Sequence, residues 1–88
     1  MAAAADVSVI FQGPVKRSVT IAGHSTSISL EPIFWQALER EAAARALPLS
    51  ALVANIDALR IAAPDPPNLA SALRTWLMAQ TNIENHSH

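Results

Sequence analysis

Between Ser25 and Leu38 the chain changes its hydrophobic period with no room for a loop, and few folds accept that. Ser25, Ser27 and Ser29 alternate with Thr26, Ile28 and Leu30, the period of two that sends alternate side chains to opposite faces of a strand. Pro32 then stands where a helix can begin without losing a hydrogen bond, and Phe34, Trp35, Leu38 and Ala42 follow at helical spacing. The pattern predicts a short strand running directly into an amphipathic helix, with its hydroxyls on the face left unburied.

Upstream, residues 1 to 14 read as a flexible or weakly ordered arm. Val7, Val9 and Phe11 alternate as in a strand, but Gly13-Pro14 breaks the run. Residues 16 to 22 alternate again, Val19 and Ile21 against Ser18 and Thr20, and end at Ala22-Gly23-His24. Two courses are open to them: a hairpin back onto residues 25 to 30, with Gly23 at positive φ, or an extended lead-in that carries Lys16 and Arg17 onto a ligand.

Downstream, the first helix is predicted over about residues 32 to 46 and must stop before Leu47-Pro48, because a residue preceding proline avoids the helical region. Ser50 is the expected N-cap of a second helix reaching about Ala62, with Leu49, Leu52, Val53, Ile56 and Leu59 as its apolar stripe. Ala63-Pro64-Asp65-Pro66-Pro67 is a connector no helix crosses. Asn68 is expected to cap a third helix over 68–80, with Leu69, Leu73, Trp76 and Leu77 on one face, and residues 81 to 88 read as a polar tail. The domain thus spans residues 15 to 80.

Eighty-eight residues make one domain, and much of the 51% hydrophobic content is alanine, so the core is thin for a single chain. With no cysteine, neither disulfide nor thiolate metal site is available. The acids are spread singly, no glycine-rich phosphate loop is present, and the serines have no histidine partner at a recognisable spacing, so no catalytic residue, metal or cofactor is expected. No stretch approaches the ~20 apolar residues of a membrane span. A soluble protein of the cytoplasm is the expectation. Net charge is −1, so any affinity for nucleic acid must come from a local patch, and Lys16-Arg17 is the one the sequence offers.

Strand 25 to 30 would be a bare edge in an isolated chain. Two copies pairing it antiparallel would bury Thr26, Ile28 and Leu30, with Trp35, Leu38, Leu52 and Ile56 beneath, as the core of a dimer. Six serines would then face outward on a two-stranded ribbon, narrow enough for a DNA major groove about 12 Å wide.

The order of a strand, a helix opened by Pro32, a short turn and a second helix resembles the ribbon-helix-helix family of DNA-binding proteins. The run from Lys16 to His24, Thr26 to Glu31, Phe34-Trp35, Ala37-Leu38 and Asn68 to Arg74 is similar to its short bacterial members with a third helix. The resemblance implies a mainly α fold with a short β ribbon, an intertwined homodimer and an extra C-terminal helix. It places base-facing positions on Ser25, Ser27 and Ser29, and a phosphate clamp on Ser50 and Ala51 at the start of the second helix, beside Lys16 and Arg17.

Two positions depart from that pattern. Ser25 stands where a basic residue is common, and Ala46 where glycine is usual, an exchange that costs little while Ala46 stays out of positive φ. A hairpin within each chain would also make a dimer sheet of four strands, wider than the groove unless the outer pair splays away.

The leading expectation is a dimeric transcriptional regulator binding specific double-stranded DNA at the nucleoid. Four clustered cations per dimer would give a salt slope on the order of −4. The alternative is a dimerisation, adaptor or antitoxin-like module that binds a protein partner, and an exposed apolar patch around Trp76 would favour it.

Overall fold

The computed structural model describes residues 11–86, with side chains described as far as residue 81. β1 (Val15–Ile21) and β2 (His24–Leu30) form an antiparallel hairpin, followed by α1 (Pro32–Ala44), α2 (Leu49–Ala62) and α3 (Leu69–His86). Of the N-terminal arm read over residues 1 to 14, only residues 11 to 14 are among those described.

Of the two courses open to residues 16 to 22, the chain takes the hairpin. Ile21 faces His24 across a two-residue turn, with Ala22 at φ 51° and Gly23 at φ 82°. Positive φ at both positions is the turn geometry whose twist suits the flanking strands. Gly23 adopts it freely, while Ala22 carries a Cβ and is strained by about 1 kcal/mol.

Register then fixes the faces. Val19, Ile21, Ile28 and Leu30 are buried, because α2 packs on β1 and α3 on β2. Thr26 is half-buried. The sequence argument that a second chain must cover Thr26, Ile28 and Leu30 is therefore corrected: helices of the same chain cover them. Trp35, Leu38, Leu52 and Ile56, assigned above to a dimer core, are 0–3% exposed within this one chain.

α1 buries Trp35, Leu38 and Ala42 as its spacing predicts, and the Trp35 indole N–H donates to the Val15 carbonyl at 2.9 Å, tying the ribbon to the helix. α1 ends two residues earlier than expected, in a closed cap. The Leu47 amide donates to the Ala42 carbonyl (2.9 Å) and the Ala46 amide to the Ala43 carbonyl (3.0 Å). That double bond pattern requires a left-handed residue, and Ala46 supplies it at φ 56°. The condition under which alanine would cost little here, that Ala46 stay out of positive φ, is not met, and satisfying two terminal carbonyls outweighs a strain of about 1 kcal/mol.

Pro48, not Ser50, occupies the N-cap of α2, and no side chain caps the helix. Proline pre-sets its own φ at −62°, and its carbonyl accepts the amides of Ala51 and Leu52, so the helix starts before Ser50 can cap it. Leu59 also leaves the buried stripe, at 64% exposed, where it lines an open groove between α2 and α3. Asn68 does cap α3, its side-chain oxygen accepting the Ser71 amide at 2.8 Å. α3 continues through His86, so residues 81 to 86, expected as tail, are helical; they contain no proline or glycine to stop propagation. Among the described residues no single helix is long and apolar enough to cross a membrane.

Candidate nucleic-acid interface

Alternation along two paired strands assembles one polar surface. Lys16, Ser18 and Thr20 lie directly opposite Ser29, Ser27 and Ser25, and all six are exposed. In a hairpin closed by the bonded pair Ile21 and His24, these three pairs fall at the non-hydrogen-bonded positions, where facing side chains come closest. The result is five hydroxyls and one ammonium on a ribbon two strands wide. At about 4.8 Å between strands, its width suits a major groove of about 12 Å.

Lys16 and Arg17, read from the sequence as one patch, are separated by that alternation. Lys16 stands on the hydroxyl face. Arg17 points to the helix side, its guanidinium 4.6 Å from the centre of the Trp35 ring and 3.2 Å from the Glu39 carboxylate. Stacking is worth about 0.5–1 kcal/mol and an exposed ion pair about 0–1 kcal/mol, so freeing Arg17 for a phosphate would cost much of what the contact returns.

Three other arginines are likewise held by carboxylates. Arg74 pairs with Glu31 (3.2 Å) and lies over Phe34; Arg45 pairs with Glu41 and lies over Trp76; Arg60 holds Asp57 at 2.9 Å. Four of the six cations in the sequence are thus engaged inside the fold. Among the described residues Lys16 and Arg40 make no ion pair, and only Lys16 lies on the ribbon's outer face.

At the strand-to-helix junction, Glu31 accepts a hydrogen bond from its own backbone amide, which holds its carboxyl below the usual range. Partial burial opposes this, and Arg74 reinforces it.

Ser50 and Ala51 occupy the first turn of α2, both half-buried. The Ala51 amide is already donated to Pro48, which leaves less of a clamp than the sequence promised. What flanks the serine strand is the start of α3: a concavity of about 300 Å³ is lined by Thr26, Ser27, Ile28, Ser29, Asn68, Leu69 and Ala70. Sequence reasoning missed Ser18 and Thr20 as members of the surface, although their alternation with Val19 and Ile21 was visible and only the choice of hairpin was lacking.

Away from the ribbon, an open apolar groove of about 330 Å³ runs between α2 and α3, lined by Ile56, Leu59, Ala63, Ala72, Trp76 and Ala79, with Arg60 at its rim. Trp76 is half-buried there. Met78, 63% exposed, lies alongside in a second hollow that shares Thr75 and Ala79 with the groove.

The site is thus a two-stranded ribbon with a polar outer face, seated on a short-turned helix pair, and no cluster of metal-ligating residues is found among those described. The chain belongs to the ribbon-helix-helix domain family, whose model matches residues 14–81. Domains of this family are in general those of DNA-binding regulators and are typically not enzymes. Neither the curated proteins nor the solved structures compared with the chain gave a match.

Proposed function

We propose that the protein is a transcriptional regulator that binds specific double-stranded DNA through the outer face of its hairpin, and does so as a homodimer. The observation that carries this reading is the exposed surface of Lys16, Ser18, Thr20, Ser25, Ser27 and Ser29 on a ribbon of groove width. Hydroxyls both donate and accept, and so suit base edges. The homodimer draws its support from the groove between α2 and α3, where Leu59 and Trp76 present apolar surface, and not from the ribbon, whose inner face is covered already. Pairing through the helices also keeps each ribbon two strands wide.

With Arg17 engaged by Glu39, each ribbon brings Lys16 alone to the phosphates and bases. Two ribbons then release about two counterions, and log affinity should fall with log salt at a slope near −2. Fluorescence polarisation against genomic fragments, repeated across salt concentrations, tests the reading. Binding no tighter than to random DNA would overturn it.

The same groove favours a second reading, a module that binds another protein through Leu59 and Trp76. Light scattering separates the two. A dimer that becomes monomeric on Leu59→Glu assigns the groove to self-association, while a monomer that is unchanged by Leu59→Glu but captures a protein only when Leu59 is intact assigns it to a partner.

A further inference from the structure

We infer that the protein holds a site for a free amino acid with an apolar side chain, in a hollow beside the hairpin turn that the DNA-binding reading leaves unused. The hollow has a volume of about 430 Å³, within the range of about 300–1,000 Å³ usual for small-ligand sites. Three parts of the chain meet there. Ile21, Ala22 and Thr26 come from the hairpin, Asp57 and Arg60 from α2, and Asn68 and Leu69 from the start of α3.

Thr26 is the first support. Alternation places it on the inner face with Ile28 and Leu30, yet it is only half-buried, because the helices leave the hollow in front of it. Its hydroxyl has no hydrogen-bond partner among the described residues, so a polar group of the inner face opens onto the hollow.

A charge pair held on one side and open on the other is the second support. Arg60 donates from Nε to Asp57 Oδ1 at 2.9 Å and from Nη1 to the Pro67 carbonyl at 3.2 Å, which leaves Nη2 and Asp57 Oδ2 without partners among the described residues. The two side chains are 25% and 15% exposed, so water screens them less than it screens an exposed pair. Asn68 adds a donor of known direction. Its side-chain oxygen accepts the Ser71 amide at 2.8 Å, and the NH2 end is therefore the one left free.

Charge selects the ligand. A lone carboxylate brought to Arg60 Nη2 also meets Asp57, and a lone ammonium brought to Asp57 Oδ2 also meets Arg60. A zwitterion satisfies both: its carboxylate accepts from Arg60 and Asn68, its ammonium donates to Asp57, and its side chain lies against Ile21, Ala22 and Leu69. Arg60 also stands at the rim of the groove between α2 and α3, so one guanidinium borders both the ligand and that apolar surface.

NMR titration of the isotope-labelled full chain with L-leucine tests this, and no DNA is present, so the result stands whether or not the ribbon reads DNA. A ligand of about nine non-hydrogen atoms in an open hollow should bind with a Kd on the order of 1 mM, shifting the amide signals of Ala22, Thr26, Arg60 and Leu69 saturably. 4-Methylpentanoate lacks the ammonium and 3-methylbutylamine lacks the carboxylate, and each should bind about tenfold more weakly. Asp57→Asn keeps an oxygen for Arg60 Nε but loses the charge. It should weaken L-leucine about tenfold and leave 4-methylpentanoate no weaker. Absence of saturable shifts with L-leucine, saturable shifts confined to residues outside the hollow, or equal affinity for the three probes would overturn the inference on the wild-type chain alone. So would an Asp57→Asn variant that loses L-leucine and 4-methylpentanoate equally, since Asp57 would then only hold Arg60 in place.

Discussion

On the inner face of the hairpin Val19, Ile21, Ile28 and Leu30 are between 0% and 9% exposed, while on the outer face Lys16, Ser18, Thr20, Ser25, Ser27 and Ser29 are all open to solvent. The two sets alternate along the same strands, so one register serves both. Inner positions are constrained by volume, and even a cation of inner parity, Arg17, is drawn onto Trp35 and Glu39. Outer positions meet no neighbour that dictates their size or charge. A one-residue slip would exchange the two sets, which makes stability the guarantor of the reading surface.

The largest expected effect contrasts neighbours on opposite faces. Leu30 is fully buried, and Leu30→Ala should cost about 2–5 kcal/mol through lost burial and the cavity left behind. Ser29→Ala, one residue away, should stay within about 0.5 kcal/mol. Urea unfolding followed by circular dichroism measures both, and similar losses at the two positions would break the distinction between faces.

Next in size is the turn that sets the register. Asparagine tolerates the left-handed conformation that strains Ala22 at φ 51°, so Ala22→Asn should raise stability by about 1 kcal/mol. Ala46→Gly relieves the same strain outside the hairpin (φ 56°), and a comparable gain is expected. Both are read as shifts of the urea midpoint. No gain at Ala22 alongside a gain at Ala46 would show that the turn does not limit the hairpin.

Much of this was legible because it is periodic. The stripe of Trp35, Leu38 and Ala42, the Asn68 cap and the alternation of both strands all follow from residue spacing, as does the serine face. What spacing cannot convey is which partner a bare strand takes. Residues 16 to 22 and a second chain competed to cover strand 25 to 30, and a two-residue turn at Ala22-Gly23 won by closing a short loop, the least costly in entropy. Contacts distant in sequence were hidden as well. Glu39 lies twenty-two residues from Arg17, so nothing local separates an engaged arginine from a free lysine beside it. Ala46 and Leu59 mark the opposite failure, where a local rule is overridden by the closing of a helix end and by a groove left open between α2 and α3.

Arg17 and Lys16 give a smaller effect on stability and a clear one on salt dependence. Arg17→Ala should cost about 1 kcal/mol or less, from one stacked ring and one exposed ion pair, and leave the salt slope of DNA binding near −2. Glu39→Gln releases Arg17 from its carboxylate, so the slope should steepen toward −4 as a second cation per ribbon becomes available. A slope unchanged by Glu39→Gln would mean that Trp35 alone holds Arg17 to the inner side.

The smallest effect belongs to the junction where the ribbon ends and α1 begins. The Glu31 carboxyl is held below its ordinary range by its own backbone amide, with Arg74 reinforcing the shift. A carboxyl whose folded pKa lies below its unfolded value binds its proton more readily in the unfolded chain. Its contribution is therefore present above the unfolded value of about 4.3 and is lost as pH falls through the lower folded value. Glu31→Gln removes this dependence. Wild type and variant should differ at pH 7 and converge as the pH is lowered from about 5 toward 2, monitored by urea midpoints at fixed ionic strength. Glu31 immediately follows Leu30 and pairs with Arg74 from α3, so the titration reads how firmly the inner face is clamped. A difference that persists at low pH would assign the effect of Glu31 to packing at the junction and not to its charge.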